Sequence, residues 1–595
     1  MLQQGEAEVE VLVINPVESV WCQIYPGWSK NLVAEGQAVQ DLEKIYQQMF
    51  QWLTGAQIDF DYADEEMMSR LTRVERDESG EPVFWVGKVG YRIVVIAGME
   101  TIRSTTVDAL KEFLSMGGHV VIAGMPPQYV NAEPSPAMDH MLSEAEHVPL
   151  MESPLISTVQ AWLRPRVQLV DLESGHGAPD IFIHTRIVEE CRIVVLLNTN
   201  REKGYSRIQV QVPGTGTIER WDPFTGERHV VASHSDPGGL QCQMDFAPGQ
   251  ERLLVIMPER NPKVSLPGLM QQQKREDIHG PFDYVLSEPN VCVLDRARYQ
   301  WNDEAWQSPE DILQIDRAIR RRMELPVRGG QMVQPWFRNR QPMVRLGRVR
   351  LRFEFRIQDL PPSLELAMER PQDFSVYIND TELSPMETSP GELDYWVDPC
   401  FRRLAVPPTL LRRGGNSVEL SVEFHEGINL EAIYLLGQFG VELAGTVQTL
   451  TELPKQLEIG DLTVQGLPFY SGVVTYNLGQ MADTEGEDVW VRLAHLSAAC
   501  ARVQGPGESS TLMAWPPYAA DITDAVNDQR SIQLDVILTR RNTFGPLHLV
   551  PSFQSAYGPG HWVSEGEHFS PTYQLIPSGL LSAPEVVRYR SERFG

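Results

Sequence analysis

The strongest constraint on the fold is a change of hydrophobic pattern near residue 160. Before that position, short apolar runs alternate with segments in which apolar residues recur every three or four positions. Val9 to Ile14 and Tyr91 to Ala97 are runs of the first kind, whereas residues 38–53 have helical spacing. Buried strands that alternate with helices are typical of a parallel sheet covered on both faces. We therefore predict a flavodoxin-like or Rossmann-like α/β domain over residues 1–155.

The rest of the chain has the pattern of all-β domains. Short strands separated by Gly- and Pro-bearing turns, without an intervening helix, predict a β-sandwich over residues 156–260. Residues 261–282 are polar and aperiodic, which predicts a linker. Alternating strands then recur over 283–445 and again over 446–595, and they predict two further jelly-roll sandwiches. The predicted fold class is multidomain α/β plus all-β, with no (β/α)8 barrel.

Charge and composition exclude several classes of protein. Acidic residues number 80 and basic residues 51, a net charge of −29 that repels phosphate backbones and anionic lipid. We therefore expect neither nucleic acid nor a membrane as a partner. The six cysteines form no CxxC pair, and no secretion signal is recognisable, so we expect a cytoplasmic protein. An export signal on a missing N-terminal region would change that expectation.

Acidic and aromatic residues are concentrated in the segments expected to follow the first strands of the α/β domain. Ligands of open parallel sheets bind at the loops that follow the strands. Carboxylates hydrogen-bond sugar hydroxyls, and aromatic rings stack on sugar faces. The candidate substrate-binding residues in these segments are Glu18, Trp21, Asp61, Asp64 and Glu65. The alternative is that these charges cap a helix that begins near Asp64, because acids favour helix N-termini.

A second group of candidates lies near the C-terminus, where Trp, Asn and His residues stand among Pro and Gly. Such residues bind sugars by stacking and hydrogen bonding, or they form the aromatic edge of a sandwich whose corners hold long loops. The substrate-binding candidates here are Trp515, Asn542, His548 and Trp562.

Sequence motifs for catalysis and cofactor binding are absent. The chain contains no HExxH, GxxxxGK[ST] or G-x-S-x-G, and Gly214-Thr-Gly216 lacks the third glycine of a dinucleotide loop. The catalytic residues are therefore unknown, and we expect no cofactor. Sandwich loops that carry Asp and Asn can supply the oxygen ligands of a structural calcium. No D-x-D-x-D-G loop is present, so we assign no metal site.

The order of several segments resembles a family of carbohydrate enzymes. Residues 11–21, 58–65 and 110–124 resemble the α/β domain that follows the catalytic barrel in large bacterial glycoside hydrolases, most closely the α-L-rhamnosidase-like family 106 group. Trp221-Asp-Pro-Phe-Thr-Gly226 is similar to the sandwich domain of those enzymes. Residues 430–441 and 541–548 resemble their C-terminal galactose-binding-like jelly rolls.

This resemblance implies a role beside a catalytic domain. In the family, the catalytic carboxylates lie on a (β/α)8 barrel before the strand that corresponds to Val11 to Ile14, so no residue of this chain inherits their role. We expect the accessory, non-catalytic half or subunit of a glycoside hydrolase, which completes a sugar-binding cleft with a barrel partner. The expected partners are an oligo- or polysaccharide and a catalytic barrel subunit or a second copy of the chain. The alternative is a free-standing carbohydrate-binding or scaffold protein.

Overall fold

The structure is a computed structural model of a chain that consists mostly of β-strands. It describes residues 3–25, 29–30, 33–34, 36–135, 143–163, 165–258, 269–327, 344–383, 395–482, 486–505, 510–552 and 558–592. The chain divides into two compact units, Met1–Leu269 with Arg593–Gly595, and Met270–Glu592. No helix within the described ranges has both the length and the apolar character needed to cross a membrane.

The first unit contains a parallel sheet of five strands. In chain order these are β1 Val11–Ile14, β2 Phe60–Ala63, β3 Ile93–Ala97, β4 His119–Ala123 and β5 Glu146–Val148. Their spatial order is β5-β4-β3-β1-β2, and every neighbouring pair is parallel. Counted from β2, this is the 2-1-3-4-5 order of flavodoxin-like sheets, and the strand order reverses between β1 and β3. The sheet therefore has the doubly wound topology expected from the sequence.

Helices cover both faces of this sheet, which explains why its strands are apolar on both sides. The helices are α1 Val17–Trp21, α2 Gln37–Gly55, α3 Glu65–Leu71, α4 Ser104–Ser115 and α5 Glu152–Trp162. Leu53 of α2 and Leu155 of α5 pack on one face, and Phe113 of α4 packs on the other. The sequence did not predict α5, because Pro154 resembles a turn signal; proline is tolerated in the first turn of a helix. The helical layer thus continues beyond residue 155.

The same unit contains an antiparallel sandwich. Its six-stranded sheet comprises Glu6–Ala7, Ile181–Val188, Cys191–Asn198, Thr217–Trp221, Arg228–Val230 and Glu251–Met257. Its four-stranded sheet comprises Gln168–Asp171, Tyr205–Val212, Ser233–Asp236 and Gly239–Phe246. The N-terminal strand belongs to the sandwich rather than to the α/β layer, since Glu6 and Ala7 pair with Ile187 and Arg186. Smaller strands complete the unit: Ser29–Lys30, Val33–Ala34, Thr72–Arg76, Pro82–Val86, Val89–Tyr91, Thr101–Ile102, Tyr129–Val130 and Glu133–Pro134.

The second unit contains two more sandwiches, each with its own buried core. The first is built from Asn290–Leu294, Arg296–Trp301, Glu310–Asp311, Gly347–Ile357, Leu364–Glu369, Ser375–Ile378, Thr381–Glu382, Tyr395–Trp396, Asp398–Val406, Gly414–Phe424, Ile433–Gly437, Gly440–Ala444 and Val447–Thr451. The second is built from Leu269–Asp277, Tyr284–Leu286, Val473–Gln480, Asp488–Leu493, Leu496–Ser497, Cys500–Gln504, Ser510–Met513, Tyr518–Asp521, Ser531–Ile537, Gly579–Leu580 and Glu585–Glu592. Three helices accompany them: α6 Ile312–Arg322, α7 Thr523–Asn527 and α8 Arg541–Phe544.

Two features of this unit differ from the sequence-based expectation. Leu269–Asp277 is a strand of a four-stranded sheet, although its polar residues predicted a linker. The strand Tyr284–Leu286 belongs to the second sandwich, and Val447–Thr451 belongs to the first, so the chain enters the first sandwich after residue 286 and leaves it after residue 451, not at 445. Whether such a segment becomes a strand depends on its pairing with a neighbouring strand, and hydrophobic periodicity gives little information about that pairing. Among the described residues, no eight-stranded parallel sheet occurs.

Candidate functional site

The topological switch point of the parallel sheet is filled by the chain itself. Ligands of open α/β sheets bind in the crevice where the strand order reverses, which here lies between the ends of β1 and β3. Ser19, in α1 directly after β1, is completely buried. Its hydroxyl oxygen accepts hydrogen bonds from the backbone N–H groups of Glu100 (3.0 Å) and Thr101 (3.2 Å), which follow β3. These bonds join the two loops and bridge the crevice between β1 and β3.

Two carboxyl groups and a guanidinium group lie beside this bridged crevice. The Nε atom of Arg103 donates to Glu18 at 2.7 Å, and the backbone N–H of Arg103 donates to Glu65 at 2.7 Å. Glu65 is completely buried, and the Glu18 side chain is 13% exposed. The sequence predicted both glutamates as site residues, and the structure brings them together. The sequence did not predict Arg103 as a site residue, because nothing in the local sequence distinguishes this arginine from a surface one.

The charge state of Glu65 follows from its surroundings. Burial raises its pKa to about 7, and the nearby charge of Glu18 acts in the same direction, while bonds from Thr106 and Arg103 oppose the rise. The second oxygens of Glu18 and Glu65 are both buried with no donor from the rest of the protein. A proton held by Glu65, which its raised pKa favours, would supply the missing donor between the two carboxyl groups.

Exposed apolar side chains surround the bridged crevice on the same edge of the sheet. We call this surface the carboxyl edge; it consists of Trp21, Ile24, Tyr25, Met125 and Tyr129, all of them exposed. Glu100 links the two segments that carry these side chains. The Glu100 side chain accepts a hydrogen bond from Gln23 at 3.1 Å, and the Glu100 carbonyl oxygen accepts one from the Tyr129 N–H at 3.1 Å. Grouped exposed apolar residues mark surfaces that contact a partner or a ligand.

The acidic segment at residues 58–65 is not the loop that the sequence predicted. Residues 60–63 form the edge strand β2, because they pair in register with β1. The Asp61 carboxylate accepts a hydrogen bond from the Tyr91 hydroxyl at 2.9 Å. The Asp64 side chain accepts one from the Met67 N–H at 2.8 Å and is the N-cap of α3. For Asp64, the structure therefore shows the capping role that we considered as an alternative.

In the second unit, two of the four candidates lie in buried hydrogen-bond networks. The Asn542 side chain donates to the Ile576 carbonyl at 2.7 Å and accepts from its N–H at 2.9 Å, so it clamps that segment. The His548 ring lies 3.0 Å from Asp295 and 2.8 Å from the Ser570 carbonyl oxygen. Trp515 and Trp562 are 42% and 40% exposed, and the indole N–H of Trp562 donates to the Phe544 carbonyl oxygen at 2.6 Å. The structure therefore gives Asn542 and His548 structural partners and leaves the two tryptophans at the surface.

One group among the described residues brings three potential metal ligands together, namely Asp295, Asp311 and His548, all buried. Their atoms already have protein partners. Asp295 accepts from the Tyr573 hydroxyl at 2.8 Å and contacts His548, while Asp311 accepts from the N–H groups that begin α6. Calcium prefers six to eight oxygen ligands, whereas this group includes a nitrogen. The structural calcium that the sequence left possible is therefore not assigned to this group.

Comparison with known proteins gives only distant likenesses. No family model and no curated protein matches the chain. Among solved structures, a rhamnosidase from Novosphingobium sp. PP1Y is similar at 15% identity and a TM-score of 0.28, over 62% of this chain and 32% of that one. A beta-galactosidase from Bacillus circulans sp. alkalophilus has 12% identity and a TM-score of 0.28, over 43% and 42% of the two chains. An alpha-L-fucosidase isoenzyme 2 from Paenibacillus thiaminolyticus has 11% identity and a TM-score of 0.25, over 43% of this chain and 49% of that one.

These neighbours are glycoside hydrolases, and this chain spans about a third of the rhamnosidase and less than half of the other two. At such TM-scores the similarity carries no weight for activity. Membership of family 106 remains a prediction. The functional conclusion has to rest on the geometry of the molecule.

Proposed function

We propose that this chain is the accessory, non-catalytic half or subunit of a glycoside hydrolase, and that its carboxyl edge faces a catalytic (β/α)8 barrel and completes a sugar-binding cleft. The observation that carries this proposal is the exposure of Trp21, Tyr25 and Tyr129 on segments that Gln23 and Glu100 join by hydrogen bonds. Aromatic faces combined with a few polar groups are the usual lining of sites for small molecules. Because hydrogen bonds bridge the crevice beneath, the edge suits a large partner and an extended sugar better than a nucleotide.

The carboxyl pair supports a non-catalytic role. Glycoside hydrolysis needs two carboxyl groups that flank the scissile bond, about 5–5.5 Å apart for retention and about 6.5–9.5 Å apart for inversion. Glu65 has no surface through which to reach a substrate, and Glu18 is engaged by Arg103. The pair therefore fixes α1 and the residues that follow β3, and in this way it supports the segments that carry the exposed aromatic side chains.

The experiment is co-expression with a barrel encoded in a neighbouring gene, followed by light scattering on the eluted complex. We expect a one-to-one complex that the double variant Trp21→Ala, Tyr25→Ala weakens at least tenfold. The matched control is Phe224→Ala, since Phe224 and Trp21 are each 57% exposed and Phe224 lies in a sandwich turn of the same unit. The absence of a complex, or equal weakening by the control, would refute the accessory role.

The alternative, a free-standing carbohydrate-binding protein, is favoured by the exposure of Trp515 and Trp562 on the second unit. It predicts that the chain alone is retarded in gels that contain a polysaccharide, and that Trp515→Ala or Trp562→Ala abolishes the retardation. Binding of this kind, together with no barrel complex, would replace the accessory proposal by the alternative.

A further inference from the structure

A groove on the first unit lies away from the carboxyl edge, along the lateral side of the parallel sheet. One wall is formed by α2 and the edge strand β2, and the other by the outer face of the sandwich strands 181–188 and 191–198. Its volume is about 490 Å³. Cavities that bind small ligands typically measure about 300–1,000 Å³, so the groove is large enough for a sugar.

Five aromatic rings contact one another in sequence beside the groove, and four of them, Phe50, Phe60, Tyr62 and Phe182, line it. The ring centroids of Tyr46 and Tyr62 are 4.3 Å apart, those of Tyr62 and Phe60 are 5.1 Å apart, and those of Phe60 and Phe50 are 6.1 Å apart. Phe50 then lies 5.5 Å from Phe182 of the sandwich. Phe50 is 41% exposed although burial of a phenylalanine side chain stabilises a protein by about 1.5–3 kcal/mol. Phe50 therefore offers exposed aromatic surface to a ligand, and its neighbours Phe60 and Phe182 meet it edge-on at interplanar angles of 70°.

The polar groups of the groove are acidic or neutral. The Asp59 carboxyl group accepts a hydrogen bond from the backbone N–H of Thr185, and burial raises its pKa to about 7, with the charges of Asp61 and Glu8 adding to the rise. Near neutral pH it therefore both donates and accepts hydrogen bonds. Exposed His184 lies at the rim. None of the described residues that line the groove is lysine or arginine, so an anionic ligand would meet Asp59 and Asp61 without a compensating cation.

We propose that this groove binds a neutral oligosaccharide, whose rings stack on Phe50, Phe60 and Phe182 and whose hydroxyl groups bond to Asp59. The choice of a carbohydrate rests on the proposed function, whereas the surface is separate from the carboxyl edge. Aromatic rings beside a carboxylate also suit a quaternary ammonium ion. In such a cage the rings surround one point, whereas here each ring contacts the next in the order Tyr46, Tyr62, Phe60, Phe50 and Phe182, which gives an extended aromatic surface.

The test is affinity gel electrophoresis of the full chain in gels that contain xyloglucan, galactomannan, arabinogalactan or the anionic polygalacturonate. We expect at least one neutral polysaccharide to retard the chain and polygalacturonate to leave it unaffected. Phe182→Ala should weaken the retardation at least fivefold, and Phe182→Leu, which keeps the apolar bulk but removes the aromatic face, should weaken it similarly. Phe224→Ala is the exposed control and should have no effect. Circular dichroism of each variant confirms that it is folded.

The groove proposal is overturned if no neutral polysaccharide binds, if binding survives both Phe182 substitutions, or if polygalacturonate binds equally well. Retardation relieved by millimolar choline would indicate a cation site and would overturn it too. Failure here is distinguishable from failure of the accessory role, because the barrel complex is tested through Trp21 and Tyr25. A Phe182 variant that still forms the complex but no longer binds polysaccharide separates the two surfaces.

Discussion

Glu65→Gln is expected to stabilise the first unit at alkaline pH and to leave it nearly unchanged at acidic pH. In the native protein, burial holds the pKa of Glu65 at about 7, against an ordinary value of 4.5. The folded protein therefore retains a proton that the unfolded chain releases. This favours the folded state below about pH 4.5, and the advantage is lost as pH rises through about 7. Glutamine keeps the hydrogen bond from the Arg103 N–H and donates permanently to Glu18.

The magnitude follows from the size of the pKa change. One pKa unit corresponds to about 1.36 kcal/mol, so ionisation of Glu65 in the folded state costs about 3 kcal/mol at pH 8 and under about 1 kcal/mol at pH 5. A change of 1 kcal/mol shifts the melting temperature of a unit of this size by about 2–4 °C. We therefore expect Glu65→Gln to raise the melting temperature by roughly 6–12 °C at pH 8 and by much less at pH 5.

Differential scanning calorimetry at pH 5 and pH 8 measures both values. The control is Glu66→Gln, because Glu66 is the next residue of α3, is 51% exposed at its side chain and pairs only with Arg70 at the surface. Its substitution should change the melting temperature by no more than a degree or two at either pH. An equal effect of Glu65→Gln at both pH values, or destabilisation that grows with pH, would refute the assignment of a retained proton to Glu65.

Three further substitutions test other contacts. Asp64→Ala removes the N-cap of α3 and should lower the free energy of unfolding by about 1 kcal/mol in urea titrations, whereas exposed Asp41→Ala should not. Asn542→Ala leaves the Ile576 N–H and carbonyl without their partner and should lower the free energy of unfolding of the second unit by about 1–3 kcal/mol. A loss below about 0.5 kcal/mol, which is typical of surface substitutions, would contradict the structural role of Asn542. Burial opposes the charged form of His548, but Asp295 outweighs it and raises the histidine pKa, so His548→Ala should destabilise the second unit more at pH 5.5 than at pH 8.5 in thermal melts. An equal loss at both pH values would contradict this pairing.

The layered pattern of the first unit is readable from the sequence, because hydrophobic periodicity reports burial directly. Residues 38–53 show helical spacing and lie within α2, and the apolar run that ends at Ala97 contains β3. Strands that form only through pairing with a distant strand are harder to predict from the sequence. Glu6–Ala7 is a strand because it pairs with the sandwich strand Ile181–Val188, which is distant in sequence. Leu269–Asp277 is polar, yet it also pairs in a sheet.

The same distinction applies to the candidate residues. The sequence places Glu18 and Glu65 after neighbouring strands, and the common edge of parallel strands brings them together. It gives no sign that Asp61 bonds to Tyr91, and it leaves open whether Asp64 is a helix cap or a ligand-binding residue. The aromatic groove was not predicted as a unit, since Phe50 and Phe182 belong to domains that were considered separately. Only tertiary packing makes them neighbours.

The most direct test of the account is turnover by the purified chain on nitrophenyl α-L-rhamnoside, β-galactoside and α-L-fucoside. Within the part of the chain that the structure describes, the carboxyl pair beside the carboxyl edge, Glu18 and Glu65, is largely buried, so the chain should release no nitrophenol above the buffer blank. Release that is clearly above the blank and is abolished by Asp61→Asn or Glu65→Gln would show that this chain breaks glycosidic bonds itself, and it would contradict the accessory role.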